Sequence, residues 1–130
     1  MFYLSVDQVL HLQQLQTGAF GGATGLRDRG GLESAVARPS MTFGGEDLYP
    51  DVAAKAAALM HSLVLNHPFV DGNKRVGAHA AILFVEANGW EFLATPDDLI
   101  DITLGVASGA VEVGALTIWF RQRTRSAESP

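Results

Sequence analysis

The sequence predicts an all-α protein that folds as a single domain of five or six helices with a short β-hairpin. Apolar residues recur at the three- and four-residue spacing of amphipathic helices over most of the chain. Capping residues and prolines mark the ends of these segments. A chain of 130 residues is long enough for one hydrophobic core and short for two. Residues 1–125 are therefore assigned to one domain, and residues 126–130 are expected to be disordered.

The first third of the chain is expected to combine short elements with loops, because eight of the 14 glycines lie within residues 18–45. Residues 2–4 are predicted to form a short strand. Ser5 and Gln8 then have the spacing of a capping box, which opens a helix that extends to about Gln16.

A second short helix is expected at residues 31–38, where a following proline stops it. A β-hairpin is expected next, with Gly44 and Gly45 in its turn. Its two strands are predicted at residues 42–43 and 48–49.

Two alanine-rich segments give the strongest helical signals. The first begins near Asp51 and ends near Asn66, because Pro68 excludes helical geometry at His67. The second runs over about residues 73–88, before a glycine that suits a left-handed helix cap.

The last third is predicted to contain a short extended segment and two further helices. The extended segment covers residues 90–92. Thr95 is a helix N-cap, followed by a proline and two acidic residues in the first turn. A final helix is expected at about residues 113–123.

Composition excludes several classes of protein. The absence of cysteine removes disulfides, thiolate zinc sites and a cysteine nucleophile, and it fits a reducing compartment. The first residues do not resemble a signal peptide, and no apolar run approaches the ~18 residues of a membrane span. A formal net charge of −5 argues against direct nucleic-acid binding. A cytoplasmic protein without membrane or nucleic-acid partners is expected.

The segment HPFVDGNKR, residues 67–75, carries the strongest functional signal. Asn73 is a suitable N-cap and Gly72 frees the backbone before it, so the first amides of the next helix are predicted to form an anion site. Lys74 and Arg75 lie in the first helical turn, where the helix dipole disfavours each cation by ~0.3–1 kcal/mol. A bound polyphosphate would reverse this penalty.

Asp71 and His67 complete a set of groups for phosphoryl or nucleotidyl transfer. A lone carboxylate beside phosphates commonly holds Mg²⁺. Imidazole groups exchange protons near neutral pH, so His67 could take the proton of an attacking hydroxyl. The same residues also allow a structural interpretation, with His67 capping a helix, Asp71 in an ordinary turn and the two cations on a solvated face. The residues alone leave both interpretations open.

HPFVDGNKR resembles the signature of the Fic and death-on-curing (Doc) proteins, whose Fic pattern reads H-x-F-x-[DE]-G-N-G-R-x-x-R. The segments GLRDRGGLESAVARP, FGGEDLYP and NGW also resemble the Doc subgroup, and together they cover most of residues 1–95. The resemblance implies a Fic-type all-α fold. It further implies that His67 activates the target hydroxyl, that Asp71 binds Mg²⁺ and that Phe69 anchors the loop in the core.

The resemblance also assigns residues to the nucleotide and to the target protein. The phosphates of ATP would be held by four consecutive residues, Gly72, Asn73, Lys74 and Arg75. The hairpin corresponds to a flap that aligns the target segment by strand addition. Its docking residues are Thr42, Phe43, Gly44 and Gly45.

Two departures from the Fic pattern suggest which reaction the chain catalyses. Lys74 replaces the third glycine and Ala78 replaces the second arginine. In the Doc subgroup such departures accompany kinase chemistry, in which the γ-phosphate goes to a threonine of elongation factor Tu and translation stops. The resemblance thus implies a toxin of a toxin–antitoxin pair. A Fic-type adenylyltransferase and a catalytically idle Fic-fold binding module are the alternatives.

The sequence contains no inhibitory [ST]-x-x-x-E-[GN] motif of the kind that restrains many Fic enzymes. Restraint is therefore expected in trans, from an antitoxin whose tail folds into a groove of this protein.

Overall fold

The computed structural model describes residues 1–127, which form six α-helices and four short strands. The all-α prediction with a small hairpin is confirmed. The helices are α1 (Val6–Phe20), α2 (Arg29–Ala37), α3 (Val52–Asn66), α4 (Asn73–Ala87), α5 (Pro96–Ala107) and α6 (Val113–Gln122). The strands are β1 (Thr42–Phe43), β2 (Glu46–Asp47), β3 (Trp90–Phe92) and β4 (Thr124–Ser126). No helix in this part of the chain has the length and apolarity needed to cross a membrane.

Helix α3 is the centre of the core and packs against α2, α4, α5 and α6. Its alanines are buried along its length and allow neighbouring helices to approach closely. Gly77 of α4 lies at one such approach, since a Cβ there would lie 2.7 Å from Cγ2 of Val64. Because α3 and α4 pack side by side and follow each other in sequence, the loop between them lies at one end of the core.

The helix boundaries follow the capping residues. Ser5, Asp28, Asp51 and Thr95 each accept a hydrogen bond from a first-turn amide of the helix that follows. Helix α2 accordingly begins at Arg29 rather than at residue 31. Helix α1 extends beyond the expected end at Gln16, to Phe20. Thr17 stabilises this extra turn because its buried hydroxyl donates a hydrogen bond to the carbonyl of Gln13 (3.0 Å).

Strands β1 and β2 form the expected hairpin in a different register. Thr42 pairs with Asp47, and Gly44 and Gly45 have φ angles of 61° and 82°. A two-residue turn of this kind pairs the residues directly beside it, so the second strand is residues 46–47 and not 48–49.

The strand predicted at residues 2–4 was wrong. Among residues 1–127 this segment has no strand partner. Asn88 instead satisfies the backbone of Phe2, with its side chain accepting from the N–H at 2.7 Å and donating to the carbonyl at 2.9 Å. The Asn88 side chain therefore supplies the hydrogen bonds that a neighbouring strand would otherwise provide.

The expected disorder of residues 126–130 was wrong for Ser126, which lies in β4. This strand pairs antiparallel with β3, and Ser126 is opposite Trp90. The extended segment at residues 90–92 was predicted correctly, but its unpaired backbone groups recruit the C-terminal segment as a partner. Residues 128–130 lie outside the described part of the chain.

Candidate active site

The loop between α3 and α4 begins at His67, whose φ and ψ of 47° and 54° lie in the left-handed region. Within residues 1–127, it is the only non-glycine residue with a positive φ. The following Pro68 disfavours helical geometry at this position, as the sequence predicts. Such strained conformations cost on the order of 1 kcal/mol and cluster at functional sites. The imidazole of His67 is exposed, and in the described residues it has no hydrogen-bond partner.

Arg27 fixes this strained turn from the α1–α2 connection. Its Nε donates to the carbonyl of His67 (2.7 Å) and its Nη2 to the carbonyl of Asn66 (3.1 Å). A guanidinium therefore caps the C-terminal carbonyls of α3, where a positive charge also suits the helix dipole. These two contacts give Arg27 a structural role in the turn.

Asn73 and Phe69 close the loop on itself. The side-chain oxygen of Asn73 accepts from the Phe69 N–H (2.9 Å), and its nitrogen donates to the Phe69 carbonyl (3.0 Å). Phe69 is 1% exposed, so the loop is tied to a ring in the core. The expected N-cap role of Asn73 was wrong, because Gly72 with φ 78° is the N-cap and Asn73 is the first helical residue. The Asn73 side chain is thus committed to the loop.

In the described part of the chain, no side chain caps the N-terminus of α4. Gly72 has no side chain that could accept from the first-turn amides, and these amides carry the positive end of the helix dipole. Lys74 and Arg75 lie exposed in the same turn. The arrangement concentrates positive charge and free N–H donors at one place, which is a binding geometry for phosphate oxygens.

A cavity of about 540 Å³ opens beside this helix end. One side consists of loop and α4 residues, including His67, Asp71 and Arg75. The facing side comes from α5, with Leu99, Ile100, Thr103 and Leu104. Cavities of roughly 300–1,000 Å³ with apolar walls and a few convergent polar groups commonly hold small ligands.

Asp71 presents an exposed carboxylate at the edge of this cavity. Its Oδ1 accepts from the Gly72 N–H (2.8 Å), and its Oδ2 accepts a long hydrogen bond from the Ala23 N–H (3.4 Å). Each oxygen keeps a lone pair for a further partner. In residues 1–127 no group of three or more His, Cys, Asp or Glu side chains is placed to hold a metal ion. A lone carboxylate fits Mg²⁺ that takes its other ligands from phosphates and water.

His79 lines the cavity one turn beyond Arg75. Its Nδ1 lies 2.7 Å from Nε2 of Gln16, on α1. Burial, assisted by the positive charge of Arg75, lowers the pKa of His79 below 6.5. The neutral imidazole is therefore favoured, and it adds no charge to the cationic helix end.

The hairpin lies apart from the cavity lining. Its predicted docking residues are exposed, and none of them lines the cavity: Thr42, Phe43, Gly44 and Gly45. Lys55 of α3 anchors the hairpin from the core, where its side chain is 2% exposed. The ammonium donates to the Pro39 carbonyl (3.0 Å) and to Asp47 Oδ2 (3.2 Å), one before the hairpin and one on β2. Both ends of the hairpin are thereby fixed to one buried charge.

The structure brings together most of the motif residues that the sequence singles out. The cavity is lined by His67, Asp71, Gly72, Asn73, Lys74 and Arg75. Sequence reasoning did not predict the wall of the cavity that α5 forms. This helix is separated from the motif by α4 and β3, and its own residues match no recognisable motif. Sequence reasoning also missed His79 and the contact that the glycine-rich segment between α1 and α2 makes with Asp71.

The sequence model of the Fic/DOC family matches residues 3–85. This match covers more than half of the chain, and it includes the loop, the helix end and the hairpin described above. The chain therefore belongs to the Fic/DOC family, as the motif resemblance implied.

Two curated relatives carry the Doc name. The chain is 46% identical over 95 residues to "Toxin Doc" of Mycolicibacterium smegmatis, an alignment that covers 73% of this chain and 71% of that protein. It is 28% identical over 128 residues to "Protein kinase doc" of Escherichia phage P1, covering 98% of this chain and 100% of that protein. These similarities place the chain in the Doc subgroup.

Proposed function

We propose that this chain is a Doc-type toxin that transfers the γ-phosphate of a nucleoside triphosphate, with ATP as the expected donor, to a protein hydroxyl. The observation that carries the proposal is the cavity, which places His67, Asp71 and the uncapped N-terminus of α4 around one space. The phage relative is named a protein kinase, which agrees with this reaction.

The triphosphate is assigned to the cationic side of the cavity. The free first-turn amides of α4 and the side chains of Lys74 and Arg75 supply donors and positive charge there. Gly72 allows the backbone to approach phosphate, whereas Asn73 contributes through its backbone because its side chain is bound to Phe69. The apolar face of α5 supplies a surface for the nucleoside.

His67 is assigned as the general base. Its imidazole has no partner in the described residues, so a ring nitrogen is available to a target hydroxyl. The hydroxyl oxygen attacks the γ-phosphorus while His67 takes its proton. The bond from the γ-phosphorus to the bridging oxygen breaks, and a nucleoside diphosphate leaves.

Asp71 is assigned to Mg²⁺, because a lone carboxylate suits an ion that takes its other ligands from phosphates and water. When bound, the ion would neutralise negative charge on the phosphate oxygens. Lys74 and Arg75 contribute to the same neutralisation and also orient the phosphates. Position 78 also supports the kinase assignment. The Fic pattern has an arginine there, whereas this chain has Ala78, which is buried and lines the cavity.

We further propose that the exposed hairpin binds the target segment by strand addition, as a preformed edge held by Lys55. A threonine of elongation factor Tu is the expected acceptor, and its modification would block translation. The name of the mycobacterial relative, "Toxin Doc", supports control by an antitoxin supplied in trans. The reaction is assigned to the cytoplasm, where nucleoside triphosphates are available.

The experiment incubates the chain with elongation factor Tu and ATP labelled at either the α or the γ phosphorus. Transfer of the γ label alone is the expected result. Transfer of the α label would instead establish an adenylyltransferase and overturn the kinase proposal.

His67→Ala is the matched inactive variant, and it is expected to lose transfer by a factor of about 10²–10⁴. It is also expected to relieve growth inhibition when the chain is expressed. Full toxicity of this variant would support a binding module and would overturn the catalytic proposal.

A further inference from the structure

The connection between α1 and α2, together with the last residue of α1 and the first turn of α2, runs antiparallel to the motif region and contacts it at successive residues. Successive contacts along residues 20–31 meet the motif region in reverse order, from residue 75 back to residue 66. The pairs are Phe20 with Arg75, Ala23 with Asp71, Gly25 with Val70, Leu26 with Phe69, Arg27 with His67 and Gly31 with Asn66. We call residues 20–31 the strap.

The strap meets the carboxylate of Asp71 at Gly22 and Ala23. The Ala23 N–H donates to Asp71 Oδ2 at 3.4 Å. A Cβ on Gly22 would lie 2.6 Å from the same oxygen and 3.2 Å from Asp71 Cγ. Only a residue without a side chain leaves the carboxylate in this position, so the position of Asp71 depends on Gly22.

Behind this contact, Gln13 holds both sides together. Its Nε2 donates to the Ala23 carbonyl (3.2 Å) and to the Asp71 carbonyl (3.4 Å). Gln13 is 2% exposed, so its amide is a buried link between the strap and the motif. The backbone on either side of the carboxylate is therefore fixed, so a side chain added at position 22 would displace the Asp71 side chain rather than the backbone.

The strap meets the guanidinium of Arg75 at Phe20. The Arg75 Cζ lies 4.8 Å from the centre of the Phe20 ring, which is the geometry of a cation–π contact. The ring itself is 63% exposed, so core packing does not account for its position. Phe20 supports a charged group that would otherwise move freely at a helix end.

We propose that Gly22 and Phe20 are positioning residues, Gly22 for the Asp71 carboxylate toward a divalent cation and Phe20 for the Arg75 guanidinium toward phosphate. The proposal rests on the proposed function, which assigns Asp71 and Arg75 to these ligands. It adds that the strap sets their geometry before nucleotide binds, which lowers the cost of ordering them on binding.

The first experiment compares Gly22→Ala with Gly21→Ala. Both glycines have a positive φ, 107° and 84°, so alanine strains the backbone at either position. At Gly21 a Cβ meets nothing within 4 Å, whereas at Gly22 it meets Asp71. The cheapest relief at Gly22 is rotation of the Asp71 side chain, so the fold is expected to persist while the carboxylate is displaced.

The measurement is binding rather than turnover. ATP affinity is measured by calorimetry without divalent cation, and Mn²⁺ affinity is measured by electron paramagnetic resonance with ATP present. Gly22→Ala is expected to weaken Mn²⁺ binding about 10-fold relative to Gly21→Ala. The metal-free ATP affinity is expected to match in the two variants. Equal Mn²⁺ affinities in these variants would overturn the role of Gly22.

The second experiment replaces Phe20 with leucine or tyrosine. Phe20→Leu keeps an apolar side chain but removes the ring, and it is expected to weaken metal-free ATP binding about threefold. Phe20→Tyr keeps the ring face and is expected to restore the affinity. The role of Phe20 is refuted if leucine and tyrosine bind ATP equally well.

A failure of the proposed function would look different. In that case wild-type protein would bind neither ATP nor Mn²⁺ with ATP, or Asp71→Ala would leave the Mn²⁺ affinity unchanged. If Asp71→Ala abolishes Mn²⁺ binding while Gly22→Ala behaves as Gly21→Ala, the function stands and the positioning proposal fails.

Discussion

The buried ion pair under the hairpin gives a prediction whose size follows from the structure. Lys55 is buried in α3, and its ammonium has one carboxylate partner, Asp47 on β2, within residues 1–127. Asp47→Ala removes that partner and leaves the charge in the core. The Pro39 carbonyl at 3.0 Å and the Tyr3 ring, whose centre is 5.4 Å away, stay as its remaining contacts.

The expected loss of unfolding free energy in Asp47→Ala lies between two limits. Removing one partner of a fully buried ion pair costs about 3–5 kcal/mol, and an exposed pair contributes about 0–1 kcal/mol. The Lys55 side chain is 2% exposed and that of Asp47 is 50% exposed, so the pair belongs between these classes. We expect Asp47→Ala to lower the free energy of unfolding by about 2 kcal/mol, as for a charge-assisted hydrogen bond. For a chain of this length, Tm would fall by about 6–10 °C.

The assay is thermal and urea unfolding followed by circular dichroism. Glu46→Ala is the matched control, since Glu46 is the exposed neighbour of Asp47 on the same short strand. A double-mutant cycle with Lys55→Met isolates the pair, because methionine keeps the volume and removes the charge. We expect the double variant to be more stable than the sum of the single effects predicts, by about 1–2 kcal/mol.

Two results would refute this account of the hairpin anchor. The first is an Asp47→Ala variant with the same Tm as Glu46→Ala. The second is strict additivity in the cycle, because two residues that stabilise each other cannot have independent effects.

Three further predictions concern the core, the strained turn and pH. Gly77→Ala is expected to lower the free energy of unfolding, measured in urea, by about 1 kcal/mol. The added methyl group overpacks the contact with Val64 at a cost of about 1–3 kcal/mol, which exceeds the gain in helix propensity of about 1 kcal/mol. A more stable variant would contradict this. Arg27→Ala is expected to cost about 1 kcal/mol of unfolding free energy and to slow the proposed phosphate transfer, because the carbonyls of Asn66 and His67 lose their donor. Arg29→Ala should do neither, since the Arg29 side chain pairs with exposed Glu33 on its own helix. Burial lowers the pKa values of His61 and His79 below 6.5 in the folded state. On acidification these two histidines therefore take up protons more readily in the unfolded chain than in the folded one. Tm should fall as pH drops below about 6.5, and the fall should be smaller in His79→Gln.

Local features of the fold could be predicted because neighbouring residues determine them. Ser5 and Thr95 cap the helices that follow them, and Pro68 removes His67 from the helix. The hairpin turn and its first strand were predicted for the same reason, although the second strand was misplaced by two residues. These effects involve contacts within about four positions, which a sequence displays directly.

Features that depend on distant contacts could not be predicted in this way. The strand at Thr124–Ser126 exists because β3 needs a partner, and nothing in TRS itself indicates a strand. The wall of the cavity from α5 depends on how that helix packs. The glycines of the strap signalled irregular structure, but not that Gly22 would face Asp71. The roles of the individual site residues stay predictions until binding and transfer are measured.

The strap makes the site depend on contacts between residues that are distant in the sequence. Its hydrogen bonds to His67, Asp71 and the preceding Asn66 join residues 39, 40 and 48 positions apart, so loops of that length must close before His67 and Asp71 are held. The helical core formed by α3 and α4 does not require these contacts and can be ordered earlier. A nascent or heat-frayed chain would then retain much of its helix content while the site is disassembled. Toxicity should consequently appear late in folding and disappear on warming before the core melts.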